Sequence, residues 1–488
     1  MDADLREELL LPINASGKGS QDVEARIFRN VDEDNDDDDD DDDDGSDGKG
    51  VCMRLGRKQK NVYVTIVLCL FWGFADALWT TSLLSVWLFL LAKREGASDE
   101  NAKVGIVEAA SGLGTLIFSI PIGWLADKEG IGRMPIIRIG AVFFLLATAI
   151  TFTSIQPWLM EINRGGDAYL VLGGSMILWG ISGGIFNGPL QALYADSVPR
   201  GKRSFWYMVL YAAYICPAIV GPGAAMIMFD VFGNNWSFEQ MRPILYIGLA
   251  FEIPPAIMSF LLQDIPKHER DEEDEKIKED AAQQNDSDGK HCCTKRAIPY
   301  ILFTSEVLLA LGSGMTIKFF PLFFRNEVGM SPVSVQLVYL ISPLLMLPMA
   351  FAMQKVSKIV GRVVVILVAR VIGISCLVAM ALLFQVWGIV NPFIICPIYI
   401  FRTAIMNSSY PLEESILMDS VPSHQRAKWK TLESISVAGW AGSAFVGGAL
   451  ADRYGYQSTF FITAALQGIG SVAIIFLLPL VGAEKEDE

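Results

Sequence analysis

Several ionisable side chains lie inside long apolar stretches of the chain, among them Asp76, Glu306, Lys318 and Arg402. A charge in such a place is costly, so we expect each of them to bind something or to be paired. A carboxylate in a partly dry cavity takes up a proton more readily than one in water, which makes Asp76 the first candidate for proton binding. The guanidinium of Arg402 either holds an anionic group of a substrate or neutralises a carboxylate, and the sequence leaves both functions open.

Each of these interpretations has a structural alternative. Asp76 is also compatible with an ion pair to Arg402 or Arg138 that only stabilises the fold. Two aromatic side chains, Trp79 and Tyr410, offer flat surfaces on which a substrate can stack. Aromatic residues of membrane helices more often serve packing or anchor the helix at the interface, so both interpretations remain open for them.

A second chemical pattern, D-S-V-P-x-x-x-R-x-x-W, occurs twice, starting at Asp196 and at Asp419 with an offset of 223 residues. In each copy an apolar segment runs into the Asp, and another begins at the Trp. This repeat predicts a chain built from two homologous halves, each with the pattern as a hinge between two helices. In membrane proteins such halves are typical of transporters whose substrate site lies between them.

Composition supports a membrane protein, because 52% of the 488 residues are hydrophobic and they form long runs. The net charge of -15 is concentrated outside these runs. Residues 1–60 hold 19 acidic and 9 basic residues, including nine consecutive Asp, and residues 265–296 hold 10 acidic and 7 basic residues. We expect the first of these regions to be a disordered tail, and its charge carries little information about a substrate. The seven cysteines show no disulfide or metal-binding spacing.

Twelve apolar segments are each long enough for the ~20 residues with which a helix crosses a bilayer. They are continuous and lack the alternation of strands, which predicts an all-α membrane protein. With the repeat, they predict twelve transmembrane helices in two pseudo-symmetric six-helix bundles. The segments cover residues 62–91, 104–126, 134–154, 168–194, 204–229, 242–263, 298–325, 333–356, 364–387, 392–415, 430–450 and 457–481.

Lys and Arg residues cluster at one set of segment ends, which predicts that both termini and the linker between the halves face the cytosol. The predicted divisions are an acidic tail at 1–60, a six-helix bundle at 61–264, a charged linker at 265–296, a second bundle at 297–482 and a short tail at 483–488. We expect a multi-pass membrane protein, and the sequence leaves open whether it lies in the plasma membrane or in a vacuole or lysosome.

Two repeated halves of six helices, split by a charged linker, resemble the major facilitator superfamily. Residues 123–133 are similar to that family's signature G-x-L-A-D-R-x-G-R after helix 2, with Lys at the first basic position and two extra residues before Arg133. Residues 448–455 match the same pattern after helix 11, and residues 357–362 hold a degraded copy, without the Asp, after helix 8. The resemblance covers about residues 60–482 and implies the major facilitator fold.

In that family, helices 1, 4, 7 and 10 line a central cavity. The resemblance therefore implies that the path of substrate and protons is formed by Asp76, Trp79, Glu306, Arg402 and Tyr410. Charges on the remaining helices rank lower, because those helices mostly pack outside or flank the cavity. This group comprises Arg138, Glu252, Arg370 and Glu433, and Glu108 is expected to reach water near the end of its helix.

The loop signature and the repeated hinge predict a cytosolic gate made of charge contacts at helix ends. Asp127 is expected to pair with Arg133 or Arg203 in the first half. Asp196 with Arg203, and Asp419 with Arg426, are the corresponding pairs of the repeat. The alternative is that these residues only cap helices, since Pro follows the Asp closely in both copies.

The function expected from these features is secondary active transport of a small solute by alternating access, coupled to protons. Residues 217–226 partly match an antiporter signature of the family in helix 5, which suggests export, although small residues there also serve close packing. A passive uniporter and a transporter-like sensor or scaffold are the alternatives. We expect a monomer in the lipid bilayer, with no cofactor, no nucleic-acid partner and no enzymatic activity.

Overall fold

The structure of the chain is a computed structural model. It describes residues 56–126, 132–198, 203–265, 297–388, 390–421 and 423–481. Within these residues all regular structure is helical, as the sequence predicts. Asp127, one of the predicted gate residues, lies outside the described ranges.

Seventeen α-helices follow one another along the described chain, and we number them in chain order. The helices are α1 Arg57–Trp79, α2 Leu83–Glu95, α3 Glu100–Ala126, α4 Arg133–Ser154, α5 Pro157–Glu161, α6 Gly166–Ser197, α7 Arg203–Phe232, α8 Phe238–Phe251, α9 Ile253–Met258, α10 Ile298–Ile317, α11 Phe320–Asn326, α12 Pro332–Val360, α13 Arg362–Trp387, α14 Pro392–Ser408, α15 Tyr410–Ser420, α16 Ser423–Tyr454 and α17 Tyr456–Ile475.

Ten stretches of the described chain are long and apolar enough to cross a membrane. They coincide with ten of the twelve predicted segments. The other two predicted segments are helical as well, since α14 and α15 together cover residues 392–415 and α16 covers residues 430–450. Many large apolar side chains point away from the protein, among them Trp124 (68% exposed) and Val231 (72% exposed), as expected for helices that face lipid.

Four helical stretches are interrupted in their course. The breaks lie at residues 80–82 between α1 and α2, at Glu252 between α8 and α9, at residues 318–319 between α10 and α11, and at Ser409 between α14 and α15. The first and third breaks fall in the first predicted segment of each half, which are corresponding positions of the repeat. In transporters built from repeats, such paired interruptions point to the binding site.

The predicted linker at residues 265–296 separates two parts of the chain, α1–α9 before it and α10–α17 after it. Helices of these two parts approach each other closely where small residues face each other. A Cβ atom at Gly112 of α3 would collide with the Cβ of Ala441 of α16, and one at Gly448 of α16 would collide with the backbone of Asn101 at the start of α3. Small residues are what permits backbones to come this near in a membrane. The contact places the start of α3 against the end of α16, and we call this end of the bundle the Asp452 end.

Candidate functional site

Asp76 lies on α1, one turn before the first break. Its backbone oxygen accepts hydrogen bonds from the amide and hydroxyl groups of Thr80, at 3.0 and 2.9 Å, and from those of Thr81, at 3.3 and 3.2 Å. The helix ends where these four donors share the backbone oxygen of Asp76. The Asp76 side chain therefore lies in the last turn before the break.

Helix α7 holds α1 in place through the segment that partly matches the antiporter signature. A Cβ atom on Gly73 would lie 3.1 Å from the Pro217 ring, and one on Gly221 would collide with Ala77. These two contacts flank Asp76 on α1. In this structure the segment therefore serves close helix packing, the alternative stated above, and that packing fixes the position of Asp76.

Glu252, at the break between α8 and α9, lies next to Asp76. It is fully buried, and its Oε1 accepts a hydrogen bond of 2.8 Å from the indole N–H of Trp79. Its other oxygen, Oε2, has no hydrogen-bond partner among the described residues. The carboxylates of Glu252 and Asp76 interact electrostatically. Glu252 is therefore a second candidate for proton binding, together with Asp76, although the sequence ranks it low.

Lys318, at the break between α10 and α11, connects this pair of acids to the other part of the chain. Its ammonium lies 3.0 Å from Glu108 Oε1 on α3 and interacts electrostatically with Asp76. The ammonium also lies 5.6 Å from the centre of the Trp440 ring on α16. The expectation that Glu108 reaches water is wrong, because this residue is only 8% exposed and its carboxylate is held by Lys318.

Four charged residues are therefore linked by pairwise interactions, Glu252 with Asp76, Asp76 with Lys318 and Lys318 with Glu108, and we call them the carboxylate–lysine row. Three of them lie at or within about one turn of a helix break, where packing leaves room for polar groups. Two interacting carboxylates bind protons as a coupled pair rather than as independent groups. Among the residues that the structure describes, no three His, Cys, Asp or Glu side chains converge as a metal site.

Arg402 lies on α14 and is also buried, with 8% of its surface exposed. Its guanidinium lies over the ring of Phe320, 5.8 Å from the ring centre, and Phe320 is the first residue of α11. Neither Asp76 nor any other described carboxylate pairs with it. The structure therefore places Arg402 against the start of α11, the helix that follows the break at Lys318.

The remaining predicted path residues have different surroundings. Trp79 is 2% exposed and contacts the ring of Trp179, with 5.3 Å between ring centres, so its surface is used for packing in this structure. Tyr410 is 44% exposed and follows the break at Ser409, while Glu306 is half-buried on α10. Contact of Trp79, Tyr410 and Glu306 with a substrate remains a prediction.

Two of the predicted gate residues meet, though in a combination that the sequence does not single out. Arg133, the first residue of α4, forms an ion pair with Asp196, next to the last residue of α6. Each charge is unfavourable at its own helix end, since the helix dipole is positive at the N-terminus and negative at the C-terminus, and the pair offsets this. For Arg203, Asp419 and Arg426 the structure describes the helices but not the side chains.

A polar contact at the Asp452 end joins the two parts of the chain. The carboxylate of Asp452 accepts hydrogen bonds from the backbone amides of Asn101 and Ala102, at 3.0 and 2.7 Å, and from the Asn101 side chain at 2.7 Å. Tyr456 donates to the side chain of Asn101 at 2.9 Å and accepts from Asn326 at 3.0 Å. The copy of the loop signature at residues 448–455 thus supplies an N-terminal cap to α3.

Arg370 on α13 differs from Arg402 in having a carboxylate partner. Its two terminal nitrogens lie 2.7 Å from Glu413 Oε2 and 2.6 Å from the hydroxyl of Ser305. The side chain is 1% exposed. This pairing supports the structural role expected of Arg370.

Glu108 and Glu252 are the residues that the sequence ranks too low. The signal that identifies them is the same as for Asp76, a charge inside an apolar segment. Ranking charges by helix number loses that signal for Glu108 and Glu252, because it assumes that a helix outside the cavity contributes nothing to it.

Comparisons with known proteins agree with this architecture. The sequence profile described as Major Facilitator Superfamily matches residues 70–429. A protein of Buchnera aphidicola subsp. Baizongia pistaciae (strain Bp), described as an uncharacterized transporter, is 40% identical over 62 residues. That match spans 13% of this chain and 15% of the relative, so it says little about the whole protein.

Solved structures resemble the fold over most of its length. A D-xylose-proton symporter superposes with a TM-score of 0.62 at 16% identity, covering 88% of this chain and 99% of that one. A bacterial homologue of the iron transporter ferroportin, in an inward-facing state, gives 0.63 at 12% identity, with coverage of 85% and 98%. A POT family transporter in complex with 5-aminolevulinic acid gives 0.59 at 12% identity, with coverage of 86% and 96%.

Sequence identities this low show that the fold is shared, but they do not identify a substrate. The profile match, however, spans most of the chain and includes Asp76, both copies of the repeated hinge and the first copy of the loop signature. The chain is an integral multi-pass membrane protein, and it belongs to the major facilitator superfamily of membrane transporters.

Proposed function

We propose that the protein is a secondary transporter that moves a small solute by alternating access and couples this movement to protons through the carboxylate–lysine row. The observation that carries the proposal is that Lys318, at a break in α10–α11, interacts with two carboxylates. Glu108 holds its ammonium at 3.0 Å, and Asp76 interacts with it electrostatically.

Because Asp76 and Glu108 compete for the ammonium of Lys318, protonation of Asp76 changes which of the two acids Lys318 contacts. When Asp76 and Glu252 share a proton, Asp76 attracts Lys318 less strongly, and the Lys318–Glu108 ion pair is favoured. That pair joins α10–α11 to α3 and so stabilises the contact between the two parts of the chain. When the proton leaves, Asp76 becomes a better partner for Lys318 and weakens the Lys318–Glu108 ion pair, so the contact of α10–α11 shifts from α3 towards α1.

The state of the structure fits this cycle. The two parts of the chain are joined at the Asp452 end by Asp452 and Asn101, and near the first break by a hydrogen bond of 2.6 Å from Gln336 to Ser82. The distribution of Lys and Arg assigns this end to the side opposite the cytosol. We therefore interpret the arrangement as closed to the outside, with the Arg133–Asp196 pair at the cytosolic end.

Proton coupling can be tested in liposomes that contain the purified full-length protein and a trapped pH-sensitive dye. A panel of sugars, peptides, nucleosides and organic anions is added outside, and the lumenal pH is followed. Wild-type protein is expected to acidify or alkalinise the lumen with at least one solute. Asp76→Asn is expected to abolish that proton movement while radiolabelled solute still exchanges across the membrane.

Asp230→Asn is the matched control, because Asp230 is an exposed acid near the end of α7 and lies outside the row. This variant should retain proton movement. Solute movement without any proton movement in the wild-type protein contradicts the coupling and indicates a uniporter. Absence of movement for every solute in the panel contradicts transport and favours a sensor.

A further inference from the structure

Arg402 is a buried cation whose charge the described part of the chain does not neutralise. It is 8% exposed, it forms no ion pair with a described carboxylate, and its Nε has no hydrogen-bond partner among those residues. An unneutralised guanidinium inside a membrane protein is costly and is normally found paired. Arg370, on the adjacent helix α13, shows the paired arrangement: its Nε also lacks a hydrogen-bond partner among the described residues, but Glu413 and Ser305 bind its two terminal nitrogens.

The surroundings of Arg402 are aromatic rather than acidic. Its guanidinium lies over Phe320 at 5.8 Å, which offsets part of the desolvation. Tyr399, one helical turn away on α14, packs edge-on against Phe320, with 4.6 Å between ring centres. Tyr339 of α12 lies next, 6.3 Å from Tyr399. A planar cation among aromatic rings is suited to a small organic molecule with an acidic group.

The location of this group points to the transport path. Phe320 begins α11, immediately after the break that holds Lys318. Lys318 is occupied by Glu108, whereas Arg402 has no such partner among the described residues. Interrupted helices at corresponding positions of two repeats are where transporters of this construction bind substrate.

We propose that Arg402 is the binding residue for the acidic group of the substrate, and that the substrate is a small organic anion, a carboxylate or a phosphate ester, whose apolar part packs against Phe320 and Tyr399. The anion supplies the negative charge that pairs with Arg402, and the rings supply contact area. This assignment rests on the proposed transport function, since it names the class of solute for that path.

The test is a thermal-unfolding measurement of the purified full-length protein in detergent with three probes of similar shape: benzoate, phenyl phosphate and the neutral benzamide. At least one anion is expected to raise the Tm in a concentration-dependent way, and benzamide is not. Arg402→Met should weaken the binding of that anion at least tenfold. Arg402→Lys, which retains the charge but loses the planar fork, should give an intermediate affinity.

Arg138→Met is the matched control, because Arg138 is an exposed arginine on the membrane helix α4 and its loss should leave anion binding unchanged. The proposal is overturned if neither anion raises the Tm of the wild-type protein, if benzamide acts as well as the anions, or if Arg402→Met binds them normally. If Arg402→Met does not fold, the Arg402→Lys variant decides, and wild-type affinity in that variant also overturns the proposal.

Equilibrium binding in detergent requires neither transport nor a pH gradient. Anion binding with no proton movement in liposomes would leave the Arg402 assignment intact and contradict the proposed coupling. Proton-coupled movement of a neutral solute, without anion binding, would support the proposed coupling and contradict the Arg402 assignment.

Discussion

Asp452, at the end of α16, caps the start of α3 by accepting two hydrogen bonds from Asn101, one from its backbone amide at 3.0 Å and one from its side chain at 2.7 Å. The first amides of a helix have no partner within it, and the positive end of the helix dipole favours a negative charge there. The same charge is unfavourable at the C-terminal end of α16, so the contact offsets a cost on one helix by capping another.

We expect Asp452→Asn to loosen the Asp452 end without unfolding the protein. Losing a charge-assisted hydrogen bond costs about 1.5–3 kcal/mol, which corresponds to roughly tenfold or more in an opening equilibrium. Hydrogen–deuterium exchange followed by mass spectrometry should show faster exchange in the peptide that contains Asn101 and Ala102. Asp230→Asn, at the same end of the bundle, should leave that peptide unchanged, and equal protection in both variants would contradict the capping role.

Close approach of α3 and α16 makes a second prediction. Gly112→Ala should destabilise the protein by about 1–3 kcal/mol, because the new methyl group collides with Ala441. Gly123→Ala, on the same helix with no atom near the new methyl group, should be neutral or slightly stabilising, as Ala favours a helix more than Gly does.

Thermal unfolding of the purified variants measures the difference between Gly112→Ala and Gly123→Ala. The double variant Gly112→Ala with Ala441→Gly should recover most of the lost stability, because it moves the methyl group from one helix to the other. Failure of this rescue would mean that the two helices do not meet as the structure places them.

The buried Arg370–Glu413 pair predicts strong non-additivity. Arg370→Met leaves the Glu413 carboxylate without its cation, and breaking a buried pair in this way costs about 3–5 kcal/mol. Because the Glu413 side chain is 18% exposed, we expect the lower end of that range. Combining Arg370→Met with Glu413→Gln removes both charges and should recover much of the loss.

The corresponding measurement is a double-mutant cycle from unfolding midpoints in a denaturant to which the wild-type protein responds reversibly. Arg138→Met, at an exposed position of α4, is the control and should have little effect. Simple addition of the two single-variant effects would show that Arg370 and Glu413 contribute independently.

Glu252 combines a structural and a proposed chemical role, and two substitutions separate them. Glu252→Gln retains an oxygen that accepts the indole N–H of Trp79, so its thermal stability should match that of the wild-type protein. Glu252→Leu leaves that buried N–H without an acceptor and should cost about 1–3 kcal/mol. Both variants lose the ionisable group and should lose proton coupling in the liposome experiment. Normal coupling in Glu252→Gln would remove Glu252 from the proposed proton path.

The sequence by itself determined the helical class and the approximate span of the apolar segments of the described chain, but not the four breaks within them. Apolar runs of membrane length are a local property, and residues 134–154 or 364–387 were therefore predicted almost to the residue. The family followed from short motifs, which are also local. Asp76 was identified because a single charge in an apolar segment stands out without any knowledge of its neighbours.

The tertiary structure alone decided which charges meet. Trp79 and Glu252 are 173 positions apart in the chain, Arg133 and Asp196 are 63 apart, and Asn101 and Asp452 are 351 apart. Such pairs depend on how helices pack, and a difference of 100° in the direction of a side chain, which is one residue along a helix, changes the partner. Only the packed helices therefore show that Lys318 pairs with Glu108 while Arg402 has no carboxylate partner among the described residues.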